Sequence, residues 1–126
     1  MSNLISQNLS MVFHSSKGEM VHALRDITFT LEKGQLLSVL GPSGCGKTTL
    51  LNIVAGFLKP TSGKLFLGKN EIDGPGVDRG MVFQQGALFE WLTVNENVNF
   101  GLRMQKEDPI KMQKKVEEWL EIVGLE

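Results

Sequence analysis

The chain has 126 residues, 41% of them hydrophobic, and a formal net charge of −1; that suits one globular domain and argues against nucleic acid as the main partner, because phosphate-backbone binding draws on clustered Lys and Arg. One cysteine excludes an internal disulfide and suits a reducing compartment. Residues 1–15 lack the basic and apolar regions of a signal peptide, and the apolar stretch Leu50–Leu58 is about half as long as a membrane span.

Leu4–Phe13 reads as a first strand, residues 13–19 as a polar turn, and Val21–Leu31 as the strand that returns. Polar and apolar residues alternate in Asp26–Leu31, which puts Ile27, Phe29 and Leu31 on one face of a half-buried antiparallel strand. Glu32-Lys33-Gly34 turns the chain into Leu36–Leu40, a short apolar run of the kind a buried parallel strand requires. Thr49–Leu58 is apolar all round and predicts a core helix, with Lys59-Pro60 as its stop. Thr61–Gly63 is a turn, Lys64–Leu67 a short strand, Asp73–Gly76 a turn and Gly80–Phe83 another buried strand. The capping box Thr93-Val94-Asn95-Glu96 predicts a helix over Val94–Met104. Asp108-Pro109 then supplies an N-cap and a proline at the first helical position. Val116, Trp119, Leu120 and Val123 form an apolar stripe opposite a solvated face of Lys114, Lys115, Glu117, Glu118 and Glu121, and Gly124 suits a C-terminal cap. No repeat, low-complexity tract or linker is visible.

Between the predicted strand 36–40 and the helix that follows lies Gly41-Pro42-Ser43-Gly44-Cys45-Gly46-Lys47-Thr48, which fits the phosphate-loop pattern G-x-x-x-x-G-K-[ST]. Glycines permit the backbone to curl into a nest of inward-pointing N–H groups. Lys47 is placed to reach phosphate oxygens, the Thr48 hydroxyl to ligate a bridging Mg²⁺, and the helix start at Thr49 to add its dipole. A strand before and a helix after make the motif a predicted nucleotide site.

Antiparallel strands ahead of a phosphate loop, then Val82-Phe83-Gln84 downstream, resemble the nucleotide-binding domain of ABC transporters. The resemblance runs through Ala23–Ile27, Gly41–Leu51, Ala55-Gly56, Thr61–Gly63, Phe83-Gln84, Leu92–Val94 and Glu96–Val98. Gly74-Pro75-Gly76 ahead of Arg79–Gln84, together with Glu90–Val94, is similar to the nitrate, sulfonate and taurine importer branch, with taurine-type the best match. That branch usually has proline where this chain has Glu90. The implied fold is α/β, a P-loop NTPase of the ABC type, with an antiparallel β subdomain and an incomplete parallel-sheet core.

The resemblance also implies residue roles. The ATP site comprises Gly41, Pro42, Ser43, Gly44, Cys45, Gly46, Lys47, Thr48 and Thr49. Phe13 takes the place of the aromatic that stacks on adenine, where the family more often has tyrosine; packing in the core or at a strand end is the other reading. His14 reads as a surface residue. Gln84 takes the place of the Q-loop glutamine, which joins Thr48 in the Mg²⁺ shell and links the site to the transmembrane subunit. Phe89 and Trp91 lie where the family meets that subunit, or else in a local core. Cys45 contributes its backbone N–H.

Downstream of Gln84 there is no Walker B strand ending in Asp-Glu, no Leu-Ser-Gly-Gly-Gln signature and no switch histidine, since His14 and His22 lie upstream. Residues 1–126 therefore read as the N-terminal portion of the domain, ahead of signature and Walker B. The implied whole protein is an importer ATPase on the cytoplasmic face of the inner membrane. Its implied partners are a transmembrane permease subunit, a second ATPase copy and, indirectly, a periplasmic or surface solute-binding protein. The chain alone is expected to bind ATP and Mg²⁺ without turnover and to expose the apolar strand 36–40, leaving it marginally stable. The alternative is a short non-catalytic nucleotide-binding or interaction module.

Overall fold

The computed structural model describes residues 3–125 in two compact units, Met1–Met81 and Val82–Glu126. The first unit contains β1 (Leu4–His14), β2 (Met20–Leu31), α1 (Lys47–Ala55), β3 (Ser62–Leu67) and β4 (Asn70–Glu71). The four strands form one antiparallel sheet in the order β2-β1-β3-β4. β4 had no counterpart in the sequence reading.

β1 occupies the interior of this sheet, and its pattern changes phase partway along. Leu4 and Ser6 face inward at its start, and Leu9 and Met11 do so beyond an irregularity between Ser6 and Leu9. An extra residue in one strand moves every later side chain to the opposite face. Here Asn8 takes a left-handed φ of 47° and donates its N–H to the Thr28 hydroxyl at 2.9 Å. Ser6, almost fully buried, is satisfied by donating its hydroxyl to the Ile27 carbonyl at 2.7 Å. The bulge thereby brings Leu9 and Met11 onto the core with Leu24, Leu50, Ile53 and Leu65.

α1 reaches that core through buried Leu50 and Ile53, with Val54 packed against it in part, and Leu51 is half exposed. The expectation of a helix buried on all sides is thus corrected: one face is covered. The stop is corrected as well. Gly56, at φ 83°, ends α1 ahead of Lys59-Pro60. Its N–H donates to the Ile53 carbonyl (3.0 Å) and that of Phe57 to the Asn52 carbonyl (2.8 Å), the paired closure a left-handed glycine makes possible.

Neither the predicted parallel strand 36–40 nor the predicted buried strand 80–83 forms. Leu36 and Leu40 are 91% and 90% exposed, Val82 is 97% exposed, and neither 36–40 nor 80–83 joins a sheet. A strand needs a neighbour to take its backbone hydrogen bonds, and among the described residues 36–40 pairs with no other strand. The α/β class and the antiparallel sheet are as expected.

The second unit contains α2 (Val94–Met104) and α3 (Pro109–Ile122), which lie in contact and bury Leu102 and Val116 respectively. Both starts match their sequence signals. Thr93 and Glu96 make the full capping box, and the Asp108 carboxylate accepts from the N–H groups of Ile110 and Lys111. Gly124 (φ 70°) closes α3, donating to the Glu121 carbonyl at 3.0 Å. The predicted stripe is covered only in part, since Trp119 and Val123 remain exposed. Among the described residues no helix is long and apolar enough to cross a membrane.

Candidate nucleotide site

The segment 41–46 connects the bare stretch 36–40 to α1, and two of its glycines explain its path. Gly44 and Gly46 sit at φ 80° and 96°, in the left-handed region. Gly46 also lies against β2: a Cβ there would strike the Ala23 carbonyl oxygen and come within 3.1 Å of the Leu24 side chain. Only glycine satisfies both demands, so the sheet fixes where α1 starts. Beyond it, Leu50 donates to the Gly46 carbonyl at 2.9 Å and the helix is under way.

Gly46 is the N-cap of α1 and has no side chain with which to cap it. The first helical N–H groups have no partner inside the helix, and a serine or aspartate would ordinarily accept from them. With glycine there, these donors and the positive end of the helix dipole are left to an anion. Lys47 adds the charge. Its ammonium donates to the Gly41 and Pro42 carbonyls at 2.7 and 2.6 Å and stands 3.5 Å from Cys45 Sγ, so it lies folded over the loop. Uncapped N–H groups, a lysine across the loop and no acidic residue in the first turn of α1 are a donor set that fits the phosphates of a nucleotide. Cys45 is free and exposed, Pro42, Ser43 and Thr48 are exposed, and Thr49 is half-buried.

The remaining predicted residues are placed as follows. Phe13 pairs with Val21 near the end of β1 and is 40% exposed, so its ring stands outside the core. His14, the last residue of β1, is exposed. Gln84 belongs to the second unit, in an exposed bend shared with Gln85. Among the described residues no cluster of three or more His, Cys, Asp or Glu could hold a metal.

Phe89 packs on Phe100 at 4.5 Å between ring centroids and on Trp91 at 5.4 Å. Trp91 itself is 79% exposed. The turn carrying them is held by Asn97. Its side-chain oxygen accepts from the Phe89 N–H at 2.9 Å, and its amide donates to the Phe89, Leu92 and Thr93 carbonyls. Beside it, Leu88, Phe89, Leu92, Val94 and Val98 line an apolar hollow of about 550 Å³, with Glu90 the only charge among the described lining residues. Phe89 thus serves a local core while Trp91 stays outside it. The sequence reading missed Asn97, whose place in the Glu96–Val98 run signals a helix interior and says nothing of a turn. It also missed Arg79, which beside Asp78 reads as one half of a surface pair.

Residues 24–126 match the ABC transporter family. The taurine import ATP-binding protein TauB of Pelagibacter ubique is 77% identical over 126 residues, which is 100% of this chain and 48% of that protein. The protein of the same name from Roseobacter denitrificans is 57% identical, over 100% of this chain and 47% of its own length. Among solved structures, the ATP-binding cassette MJ0796, a post-hydrolysis dimer bound to ADP and Pi, superimposes with a TM-score of 0.82 at 28% identity, covering 98% of this chain and 58% of that one. The chain spans about half the length of the curated relatives it matches. Loop, sheet and sequence agree, and this chain belongs to the ABC transporter family.

Proposed function

We propose that this chain binds MgATP as part of the nucleotide-binding subunit of an importer for taurine or a similar sulfonated or anionic solute. The observation that carries the ATP reading is the glycine N-cap of α1 with Lys47 folded across the loop. The taurine reading draws on the names of the relatives.

In this reading the loop N–H groups of 44–48 and the Lys47 ammonium hold the β- and γ-phosphates, and Phe13 offers its exposed face to adenine. An aromatic platform of this kind contributes about 1–3 kcal/mol in nucleic-acid binders. The Thr48 hydroxyl would ligate Mg²⁺, which when bound neutralises charge on the phosphate oxygens. Lys47 would exchange its bonds to the Gly41 and Pro42 carbonyls for bonds to phosphate. The partners are a permease subunit and a second ATPase copy, with a solute-binding protein reached through the permease, at the cytoplasmic face of the membrane. Exposed Trp91 and the apolar hollow beside Glu90 are the surface offered to the permease.

Nothing in the sequence of this chain supplies the carboxylates, histidine or signature that orient water and stabilise charge in the reaction. The chain by itself is therefore expected to bind without turnover. Calorimetry with ATP and Mg²⁺ beside a phosphate-release assay tests this. Lys47→Ala removes charge-assisted hydrogen bonds worth about 1.5–3 kcal/mol, so the affinity should fall roughly 10- to 100-fold. Equal affinity in Lys47→Ala would overturn the site, and sustained turnover by the chain would overturn the claim of binding alone.

A further inference from the structure

α1 is nine residues long and meets the core on one face, through buried Leu50 and Ile53 and in part through Val54. Apolar contact is non-directional, so these side chains hold the helix to the core without fixing its position along its own axis. Backbone contacts at its two ends do that. At the start, Gly46 lies against the Ala23 carbonyl of β2. At the close, Gly56 lies against the peptide that joins Gly74 to Pro75. A Cβ on Gly56 would strike the Gly74 carbonyl and stand 2.6 Å from the Pro75 nitrogen.

The Gly74 carbonyl is itself held from two sides. Ile72, just before it, donates its N–H to the Leu65 carbonyl of β3 at 2.8 Å and packs against the core, which ties the front of turn 73–76 to the sheet. From behind, Arg79 donates through Nη2 to the Gly74 carbonyl, and its Nη1 stands 3.3 Å from the Asp78 carboxylate. The Arg79 side chain is 13% exposed, against 75% and 83% for the partners of the Lys59–Asp73 ion pair, which joins the same two segments at the surface. Its Nε is buried with no hydrogen-bond partner among the described residues. An exposed ion pair holds little, whereas a guanidinium gives up its hydration to lie where Arg79 lies. The buried fork, and not the surface pair, decides where Gly74 stands.

We propose that Arg79 is a positioning residue for the phosphate loop and that it acts through the far end of α1. By pinning the Gly74 carbonyl against Gly56 it gives α1 a second fixed end. The loop N–H groups at the other end then keep their common focus before any ligand arrives, which lowers the cost of binding one. Among the described residues its side-chain bonds go to Gly74 and Asp78, so its action on the loop is indirect. Every contact in this chain of support lies within the first unit. The proposal rests on the MgATP reading given above.

The test measures affinity for ATP and for tripolyphosphate, both with Mg²⁺, by calorimetry at a temperature where circular dichroism shows every variant folded. Arg79→Gln should weaken both ligands by the same factor, on the order of tenfold, within the range reached by substitutions along a packed network that leads to a site. Gly56→Ala, whose methyl drives the Gly74 carbonyl away, should do the same, and the double variant no more than either single change. Arg79→Lys, which keeps the charge but not the fork, should lose less than Arg79→Gln and replaces it if that variant does not fold. The Arg79 variants decide alone if Gly56→Ala does not fold. A lowered melting temperature with affinities within about twofold of wild type assigns Arg79 to stability alone and overturns the proposal. A loss for ATP without a matching loss for tripolyphosphate overturns it as well, because the effect then lies outside the phosphate loop. So does a double variant in which the losses multiply, or a wild-type chain that binds ATP and not tripolyphosphate. Each of these leaves ATP binding standing. A wild-type chain that binds neither ligand removes the MgATP reading itself.

Discussion

β1 and the stretch Leu36–Leu40 are both rich in apolar side chains, and they end in opposite conditions. β1 has β2 on one edge and β3 on the other, and its Leu9 is sealed from solvent. Leu36–Leu40 joins no sheet and leaves Leu36 and Leu40 almost wholly exposed. Apolar content is common to both, so the partner makes the difference. A strand becomes a strand when neighbours take its N–H and C=O groups and cover its faces. An apolar run without them is a docking edge.

The comparison breaks most visibly at its two leucines. Leu9→Ala should destabilise the first unit by about 2–5 kcal/mol, because it opens a cavity among Met11, Leu24, Leu50 and Leu65. Leu36→Ala, the same chemical change at an exposed position, should stay within roughly 0.5 kcal/mol. Urea denaturation followed by circular dichroism reads both. Comparable losses in the two variants would mean that 36–40 is covered in solution, and the contrast with β1 would collapse.

Gly46→Ala comes next, and it sharpens the comparison because Gly46 joins the two regions: it follows the bare stretch and packs on β2. The added methyl meets the Ala23 carbonyl and is forced into a left-handed φ. Strain of this kind costs about 1–3 kcal/mol, and it moves the N–H groups of the loop away from their common focus. The expected outcome is a melting temperature lowered by several degrees for a domain of this size, accompanied by loss of ATP binding. A variant that melts normally and still binds ATP would show that the loop does not depend on its seat against the sheet.

The same distinction between local and partner-dependent signals explains what could be read in the chain beforehand. The helix over Val94–Met104 was legible to the residue because Thr93 and Glu96 carry their own capping signal. Asp108-Pro109 and Gly124 bracket α3 in the same self-contained way. Of the site, the loop 41–48 was legible because glycine spacing encodes backbone conformation directly. Leu36–Leu40 and Gly80–Phe83 were read as strands from apolar content, a non-local inference, and among the described residues neither joins the sheet. The early end of α1 turned on Gly56 fitting against Gly74, a contact between turns distant in sequence. Arg79 and Asn97 escaped for the same reason: their value lies in carbonyls supplied by folded turns.

The smallest effect, and the purest test of local determination, concerns Glu96. Its carboxylate accepts the Thr93 N–H at 2.8 Å and the Thr93 hydroxyl at 2.9 Å, and these bonds hold its pKa below the ordinary value of 4.5. Because the folded pKa lies below the unfolded one, the ionised carboxylate contributes stability to α2 above about pH 4.5, and that contribution is lost as the pH falls through the depressed folded value. Glu96→Gln keeps an acceptor at the same place but cannot titrate. Thermal melts followed by helical dichroism from about pH 6 to about pH 3 should therefore slope less steeply for Glu96→Gln than for wild type. Glu107, held low by its bond and charge pairing with Lys115, contributes the same slope to both chains and cancels in their difference. Parallel slopes would show that the capping box adds nothing in solution. α2 would then owe its stability to packing among Leu102, Val116 and their neighbours, and would stand with β1 as an element made by its partners.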